Sequence, residues 1–301
     1  MNRLRGERLT REIRAKAILS RVKEPKKWFG VTYNMNIYRG CEHGCIYCDS
    51  RSECYGIEDF ESVQIKTNAV ELLEKELRNK RKKALIGTGA MSDPYTPIEK
   101  EYEMTRKSLK VIADYGFPLH INTKSDLILR DIDLLKSINR AFLSVAVTVT
   151  TCDDMLAKKI EPFAPKPTDR LKAMRKLSDQ GIYTGVLLMP VLPFLQDSWK
   201  NIETVVKRAK ECGAQFIIPW FGVSLRDRQR IYFYNQLDKH FPGIKKQYED
   251  TYGDSYGCNA KKIKELYGRF RELCREYDVV YNMEMVKNYE SSDEAEQLSF
   301  F

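Results

Sequence analysis

Apolar positions along the chain follow two periods in alternation. Short β-rich runs stand at 31–38 (VTYNMNIY), 84–89 (ALIGTG), 117–122 (FPLHIN), 142–150 (FLSVAVTVT), 182–189 (IYTGVLLM) and 215–220 (QFIIPW). These read as strands, because their length and β-branched content suit a buried sheet. Between them, near 68–82, 98–115, 130–138, 153–160, 168–180 and 197–212, apolar residues recur at helical spacing. Gly116, Gly181 and Gly213 close three of these helices, and Thr168–Asp169 is placed to cap the fifth. Strand–helix alternation predicts βαβ units and a parallel sheet. Six such units in a row suit a barrel better than a short open sheet. The expected class is α/β, a partial (β/α)6 TIM-type barrel. After Gly222 the pattern turns mainly helical, with amphipathic stretches at 225–240 and 259–277 and an acidic tail, SSDEAEQ. The expected organisation is a basic N-terminal extension at 1–28, a barrel at 29–222 and a mainly helical C-terminal region at 223–301.

Composition narrows the class. The 301 residues are 43% hydrophobic and 31% charged, the balance of a globular chain rather than a disordered or collagen-like one. The best apolar stretch, Ile182 to Leu195, is short and broken by Pro190 and Pro193, so no membrane span or membrane partner is expected. The first residues are basic but lack an apolar stretch behind them, which argues against a secretory signal and for a cytoplasmic location. Net charge is +9, and residues 1–27 hold ten Lys or Arg against Glu7, Glu12 and Glu24. That arm has two readings: a contact for nucleic-acid phosphates, or a solvated, partly helical extension.

In a parallel barrel the reactive groups gather at the C-terminal ends of the strands. Polar insertions follow five of the expected strands: RGCEHGCIYCDS, MSDPYTPIE, TKSD, TTCDD and MPVLPFLQD. Of eight cysteines, Cys152, Cys212, Cys258 and Cys274 are scattered and read as small buried groups. Cys41, Cys45 and Cys48 stand in a C-x3-C-x2-C loop with Gly40 and Gly44. Three thiolates on one loop suit a soft metal or an iron–sulfur cluster. A closed zinc site needs a fourth ligand, for which His43 and Cys54 are the candidates. Tyr232, Phe233, Tyr234, Tyr248, Tyr252 and Tyr256, interleaved with Lys and Arg, read as faces of amphipathic helices, with base stacking as the rival role.

The cysteine motif, with Tyr47 just before its last member, resembles the radical SAM superfamily. NIYRGCEHGCIYC, GTGAMSDPYTPIE, TKSDLILRDIDLL and the run from IEPFAP through RL to LLMPVLPFLQD resemble its spore photoproduct lyase-like branch. The resemblance implies a [4Fe–4S] cluster on Cys41, Cys45 and Cys48, with one iron left open to the amine and carboxylate of S-adenosylmethionine. Reductive cleavage would yield a 5′-deoxyadenosyl radical that takes hydrogen from an unidentified substrate. It also implies an external electron donor of the flavodoxin or ferredoxin type. By the same resemblance Tyr47 packs near the adenine, and Ser92 and Asp93 meet the amino group. Asp93 has a rival role as cap of the helix near Ile98. Lys124 and Ser125 face a carboxylate or an anionic substrate, with a rim salt bridge as the alternative for Lys124. Thr148 and Thr150 share inward parity and reach the ribose. Arg170 either binds a carboxylate or pairs with Glu161. Met189 and Leu192 bracket a turn shaping the adenine pocket. Two positions depart from the lyase. Met91 stands where it has a hydrogen-donor cysteine, and Asp49 where it has a tyrosine. Repair of spore photoproduct by the same route is therefore not expected, and Cys152 is the candidate for a displaced thiol. Three readings stay open: a radical SAM enzyme of unknown substrate, one acting on nucleic acid, and a non-catalytic, metal-stabilised nucleic-acid-binding module.

Overall fold

The computed structural model describes residues 10–60 and 62–289. Its strands, in chain order, are β1 (Arg11–Ile13), β2 (Leu19–Arg21), β3 (Tyr33–Met35), β4 (Tyr38–Arg39), β5 (Gln64–Lys66), β6 (Ile86–Thr88), β7 (Leu119–Thr123), β8 (Leu143–Thr148), β9 (Tyr183–Leu188), β10 (Phe216–Pro219), β11 (Gly222–Ser224) and β12 (Gly257–Asn259). The helices are α1 (Ala69–Arg78), α2 (Glu99–Tyr102), α3 (Met104–Tyr115), α4 (Ile132–Ile138), α5 (Asp154–Ile160), α6 (Pro167–Ser178), α7 (Trp199–Glu211), α8 (Asp227–His240), α9 (Ile244–Tyr252) and α10 (Ile263–Glu276). The main sheet runs β10-β9-β8-β7-β6-β3-β2. Its first six strands pair in parallel, and β2 adds to β3 antiparallel. All six expected barrel strands are present. Every residue of β7 and β8 is buried, as a parallel sheet covered on both faces requires.

Helices α1, α3, α4, α6 and α7 lay apolar stripes on the outer face. In α7, Ile202, Val205, Val206 and Ala209 are fully buried; each large aliphatic side chain buried this way contributes roughly 1.5–3 kcal/mol. Phe29, Val31, Leu85, Phe142, Ala146, Leu187, Phe216 and Ile218 form a second cluster on the concave side. No helix among the described residues is long and apolar enough to cross a membrane.

Four local expectations are corrected. The run 31–38 is two strands. β3 stops at Met35, and Lys66 Nζ takes the Asn36 carbonyl (2.5 Å). β4 then joins β5 and β1 in a separate three-stranded sheet. The stretch 98–115 breaks at Glu103 because the Glu99 carboxylate accepts the Thr105 and Arg106 amides (2.9 and 3.2 Å), capping α3 afresh. Thr168 does not cap α6. The cap is Lys166 with Pro167 following, and Thr168 bonds Asp154 instead. Finally, residues 10–28 are more than the solvated, partly helical arm expected, although most of them are exposed and Pro25–Lys27 form a 3-10 turn. They carry β1 and β2, and Glu76 and Asn68 bind the Ile18 and Ala15 amides (2.7 and 2.8 Å). Residues 1–9 lie outside the described residues.

The region after Gly222 is helical as expected, with α9 in addition. It is bound closely to the barrel. The Val280 carbonyl and amide bond Ile217 and Gln215 (2.8 and 3.0 Å), covering the edge of β10.

Candidate active site

The cysteine loop leaves β4 through Gly40 (φ +83°). A Cβ there would meet the Phe60 carbonyl oxygen at 2.8 Å, so both space and backbone conformation call for glycine. The loop is then tied down residue by residue. The Glu42 amide donates to Thr96 Oγ1 (3.0 Å), and the Glu42 carboxylate accepts from the Ile98 amide (2.6 Å). The Ile46 amide donates to the Ile160 carbonyl (2.9 Å), and the Phe163 amide to the His43 carbonyl (3.1 Å). Gln229 Nε2 donates to the Tyr47 carbonyl (3.1 Å).

Cys41, Cys45 and Cys48 all face one cavity of about 460 Å³. Cys45 is buried and the other two are half-buried. Burial pushes the Cys45 and Cys48 thiols up. Burial acts the same way on Cys41, but the adjacent His43 outweighs it and the net shift is downward. His43 itself is disfavoured as a cation by burial, yet Cys41 and Asp93 raise it to about 10. Its Nδ1 stands 3.4 Å from the Asp93 carboxylate.

Other strand ends complete the wall: Gly89–Asp93 after β6, Asn122–Lys124 at β7, Thr148 of β8, Leu187, Met189 and Pro190 around β9, and Trp220 after β10. Their meeting at one rim follows from parallel strands, whose C-terminal ends all point the same way. Gly89 (φ +92°) allows the closest approach; a Cβ there would lie 2.0 Å from the Asn122 carbonyl oxygen. Asp93 joins two strand ends. It accepts from Thr123 Oγ1 (2.7 Å), the Lys124 amide (2.7 Å) and the Tyr95 amide (2.9 Å). Burial opposes its charge, but His43 and these donors hold it down to about 2. Asp93 therefore does not cap the helix near Ile98. Lys124 is disfavoured as a cation by burial, and Cys45, Glu161 and Asp93 together raise its pKa. Its Nζ stands 5.8 Å from the Tyr47 ring centroid.

Of the residues singled out from sequence, Tyr47, Ser92, Asp93, Lys124, Thr148 and Met189 line the cavity with the three cysteines. Ser125, Thr150 and Arg170 do not. The Ser125 hydroxyl accepts from the Leu127 amide (3.3 Å). β8 ends at Thr148, so strand alternation no longer governs Thr150, whose hydroxyl accepts from Gln196 Nε2 (2.7 Å). Arg170, 1% exposed, is engaged by Glu161 (2.5 Å), the Pro165 carbonyl (2.7 Å) and the Thr148 carbonyl (3.0 Å). Tyr47 donates its hydroxyl to the same Glu161. Cys152 is also away from the wall, among residues of α7.

Sequence reasoning missed Trp28, Asn122, Trp220, Val223 and Ser224 on this wall, and had Tyr256 only as a helix-face or base-stacking aromatic. Asn122 and Trp220 are the last residues of two expected strands, so the strand-end rule was the signal that could have found them. Trp28 and Tyr256 come from segments distant in sequence, and Trp28 carried no local signal. Asp49 and Met91 line the cavity too. Asp49 is held by Arg226 (2.6 Å), Tyr55 Oη (2.9 Å) and Ser224 Oγ (3.3 Å). Cys54 is exposed and sits off the wall beside Ser52 (3.4 Å).

A radical SAM superfamily domain matches residues 35–207. An uncharacterized protein of Methanocaldococcus jannaschii is 38% identical over 176 residues, 58% of this chain and 65% of that protein. The chain thus spans just under two thirds of that relative. A protein of Pseudomonas phage M6 named radical SAM Nα-GlyT isomerase is 25% identical over 228 residues, 75% of this chain and 47% of its own length. A solved spore photoproduct lyase mutant with bound AdoMet and dinucleoside spore photoproduct shares the fold. Its TM-score is 0.67 at 14% identity, over 91% of this chain and 81% of that one. The domain match covers more than half of the chain, and this chain belongs to the radical SAM superfamily of enzymes.

Proposed function

We propose that Cys41, Cys45 and Cys48 hold a [4Fe–4S] cluster and that the cavity beside them binds S-adenosylmethionine for reductive cleavage. The observation that carries this reading is the donor set. Three thiols from one loop face a single cavity, beside a half-buried ammonium and a carboxylate from neighbouring strand ends. Of the two candidates for a fourth ligand, His43 lines the cavity and is paired with Asp93, and Cys54 lies off the wall. When bound, the cluster supplies the electron that breaks the S–C5′ bond and frees a 5′-deoxyadenosyl radical. The protein's own part is orientation and exclusion of water. Lys124 is suited to the carboxylate of the cofactor. Ser92 and the backbone around it suit the amino group, Thr148 the ribose, and Tyr47 and Met189 the adenine. Asp93 serves indirectly, by holding the Lys124 amide and Thr123 in place. Arg170 fixes Glu161 and, through it, Tyr47.

The substrate would enter past Trp28, Trp220 and Tyr256. A nucleic-acid substrate is the narrower reading. Its support is the rim of aromatic rings, Tyr256 being 56% exposed, together with the dinucleoside named for the similar structure. Met91 and Asp49 argue against the lyase's own hydrogen-return route, since a thioether has no S–H and Asp49 is bound by Arg226. Membership of an enzyme superfamily disfavours the non-catalytic module. Anaerobic reconstitution with iron and sulfide, then dithionite and S-adenosylmethionine, should yield 5′-deoxyadenosine. Cys45→Ala should reduce it to background. Colourless, zinc-loaded protein, or turnover indifferent to that substitution, would refute the reading.

A further inference from the structure

One face of the molecule lies directly over the outer side of the cysteine loop. Phe163, 57% exposed, packs on Gly44; a Cβ at Gly44 would stand 2.8 Å from its ring. The Phe163 amide bonds the His43 carbonyl, and the Ile160 carbonyl takes the Ile46 amide. This hydrogen-bonded layer packs on the cysteine loop itself, Gly44 being next to Cys45 in the chain. Around it exposed lysines outnumber carboxylates, of which Asp169 and Asp238 pair with Lys172 and Lys245. Lys158 and Lys159 end α5, Lys166 precedes α6, and Lys239 stands in the last turn of α8; all four are exposed. Lys159 Nζ lies 5.5 Å from the Phe241 ring centroid, which brings the end of α8 to the same face. The carboxylate in the middle of this stretch, Glu161, is buried on Arg170 and adds no negative surface. Asp153 and Asp154 stand at the far end of α5, where one caps the helix and the other holds Thr168. Met155, 74% exposed, adds apolar surface.

We propose that this face docks an acidic one-electron carrier of the flavodoxin or ferredoxin class, with Phe163 and Gly44 beneath the carrier's redox centre. The proposal rests on the cluster reading above. An apolar contact inside a ring of lysines matches the small, charge-steered interfaces of electron-transfer partners. In the transfer the carrier loses one electron and the cluster gains it; no bond or proton is exchanged. A second basic surface, Lys80–Lys83, sits at the start of β6, where Lys80 lies 4.0 Å from the Tyr33 ring centroid. That is the strand end opposite the cysteines, too remote for direct transfer.

The test is a calorimetric titration of oxidised flavodoxin of net negative charge into the cluster-loaded protein. Lys158→Glu with Lys159→Glu should weaken binding by about tenfold or more, whereas Arg81→Glu with Lys83→Glu should leave it unchanged. Added salt should weaken binding of the wild type and flatten the difference. Flavodoxin-driven formation of 5′-deoxyadenosine should fall in the first variant while dithionite-driven formation stays at the wild-type rate. Unweakened binding in the first variant, weaker binding only in the second, or no binding to the wild type would overturn the docking proposal. Absence of dithionite-driven product in the wild type would instead overturn the functional reading, because docking is judged by binding alone.

Discussion

His120 sits in β7 with no exposed surface. Its Nδ1 is 2.7 Å from Ser144 Oγ, its Nε2 2.9 Å from Asn122 Oδ1, and its ring stacks on Phe29 at 3.9 Å. Burial pushes its pKa down to about 4, against about 6.5 when unfolded. Between those values the unfolded chain binds the extra proton, so stability is full above pH 6.5 and is lost as pH falls toward 4. The loss amounts to about 3 kcal/mol over that window. Urea unfolding at a series of pH values should show this slope, and His120→Gln should flatten it; parallel profiles would exclude the assignment. Arg170 is the other decisive buried group. Arg170→Ala leaves Glu161 charged and buried and should cost about 3–5 kcal/mol, read from the urea midpoint. A loss below 1 kcal/mol would show that Glu161 finds another partner.

At the scale of elements, the first turn of α8 grips the segment that follows the cysteines. Arg226 binds Asp49 (2.6 Å), and Asp227 accepts from Ser52 Oγ (2.6 Å) and the Glu53 amide (3.3 Å). Arg228 donates to the carbonyls of Arg51 (2.7 Å), Ser52 (3.4 Å) and Ile57. Asp227 holds φ +34°, a conformation unfavourable for a non-glycine residue and sustained by these contacts. Arg228→Ala should destabilise the chain by about 1–3 kcal/mol and speed amide exchange across 49–58. Exchange that quickens elsewhere but not in this segment would contradict the clamp. Nothing in the RDRQ sequence at 226–229 announces this role, since its partners lie about 170 positions away in the chain.

For the whole molecule, the open sheet poses the problem of its edges. β2 covers one side, and Val280 covers the other through bonds to Gln215 and Ile217. Val286, 3% exposed, packs with Phe29 and Phe216 in the concave cluster. Segments from near both ends of the described residues thus cover the two edges of the sheet. Val280→Pro removes the amide that Gln215 accepts and should cost about 3 kcal/mol or more. Protection of the Ile217 amide should fall with it; unchanged protection would show that the edge is covered by other means.

Six strands, most helices and the cysteine loop were legible in the chain because each rests on local pattern: apolar period, capping chemistry, and three thiols within eight residues. The strand-end rule pointed to the insertions holding Asp93, Lys124 and Met189, and strand parity to Thr148; parallel strands bring these four to one rim. What local pattern does not encode is contact between distant segments. The tie of Tyr47 to the Glu161–Arg170 pair, the entry of Trp28 and Tyr256 into the wall, and the folding of residues 10–28 into two sheets all depend on such contacts. Tertiary packing decided them, because a buried charge takes whichever partner the fold brings near, and an unpaired strand edge takes whichever segment reaches it.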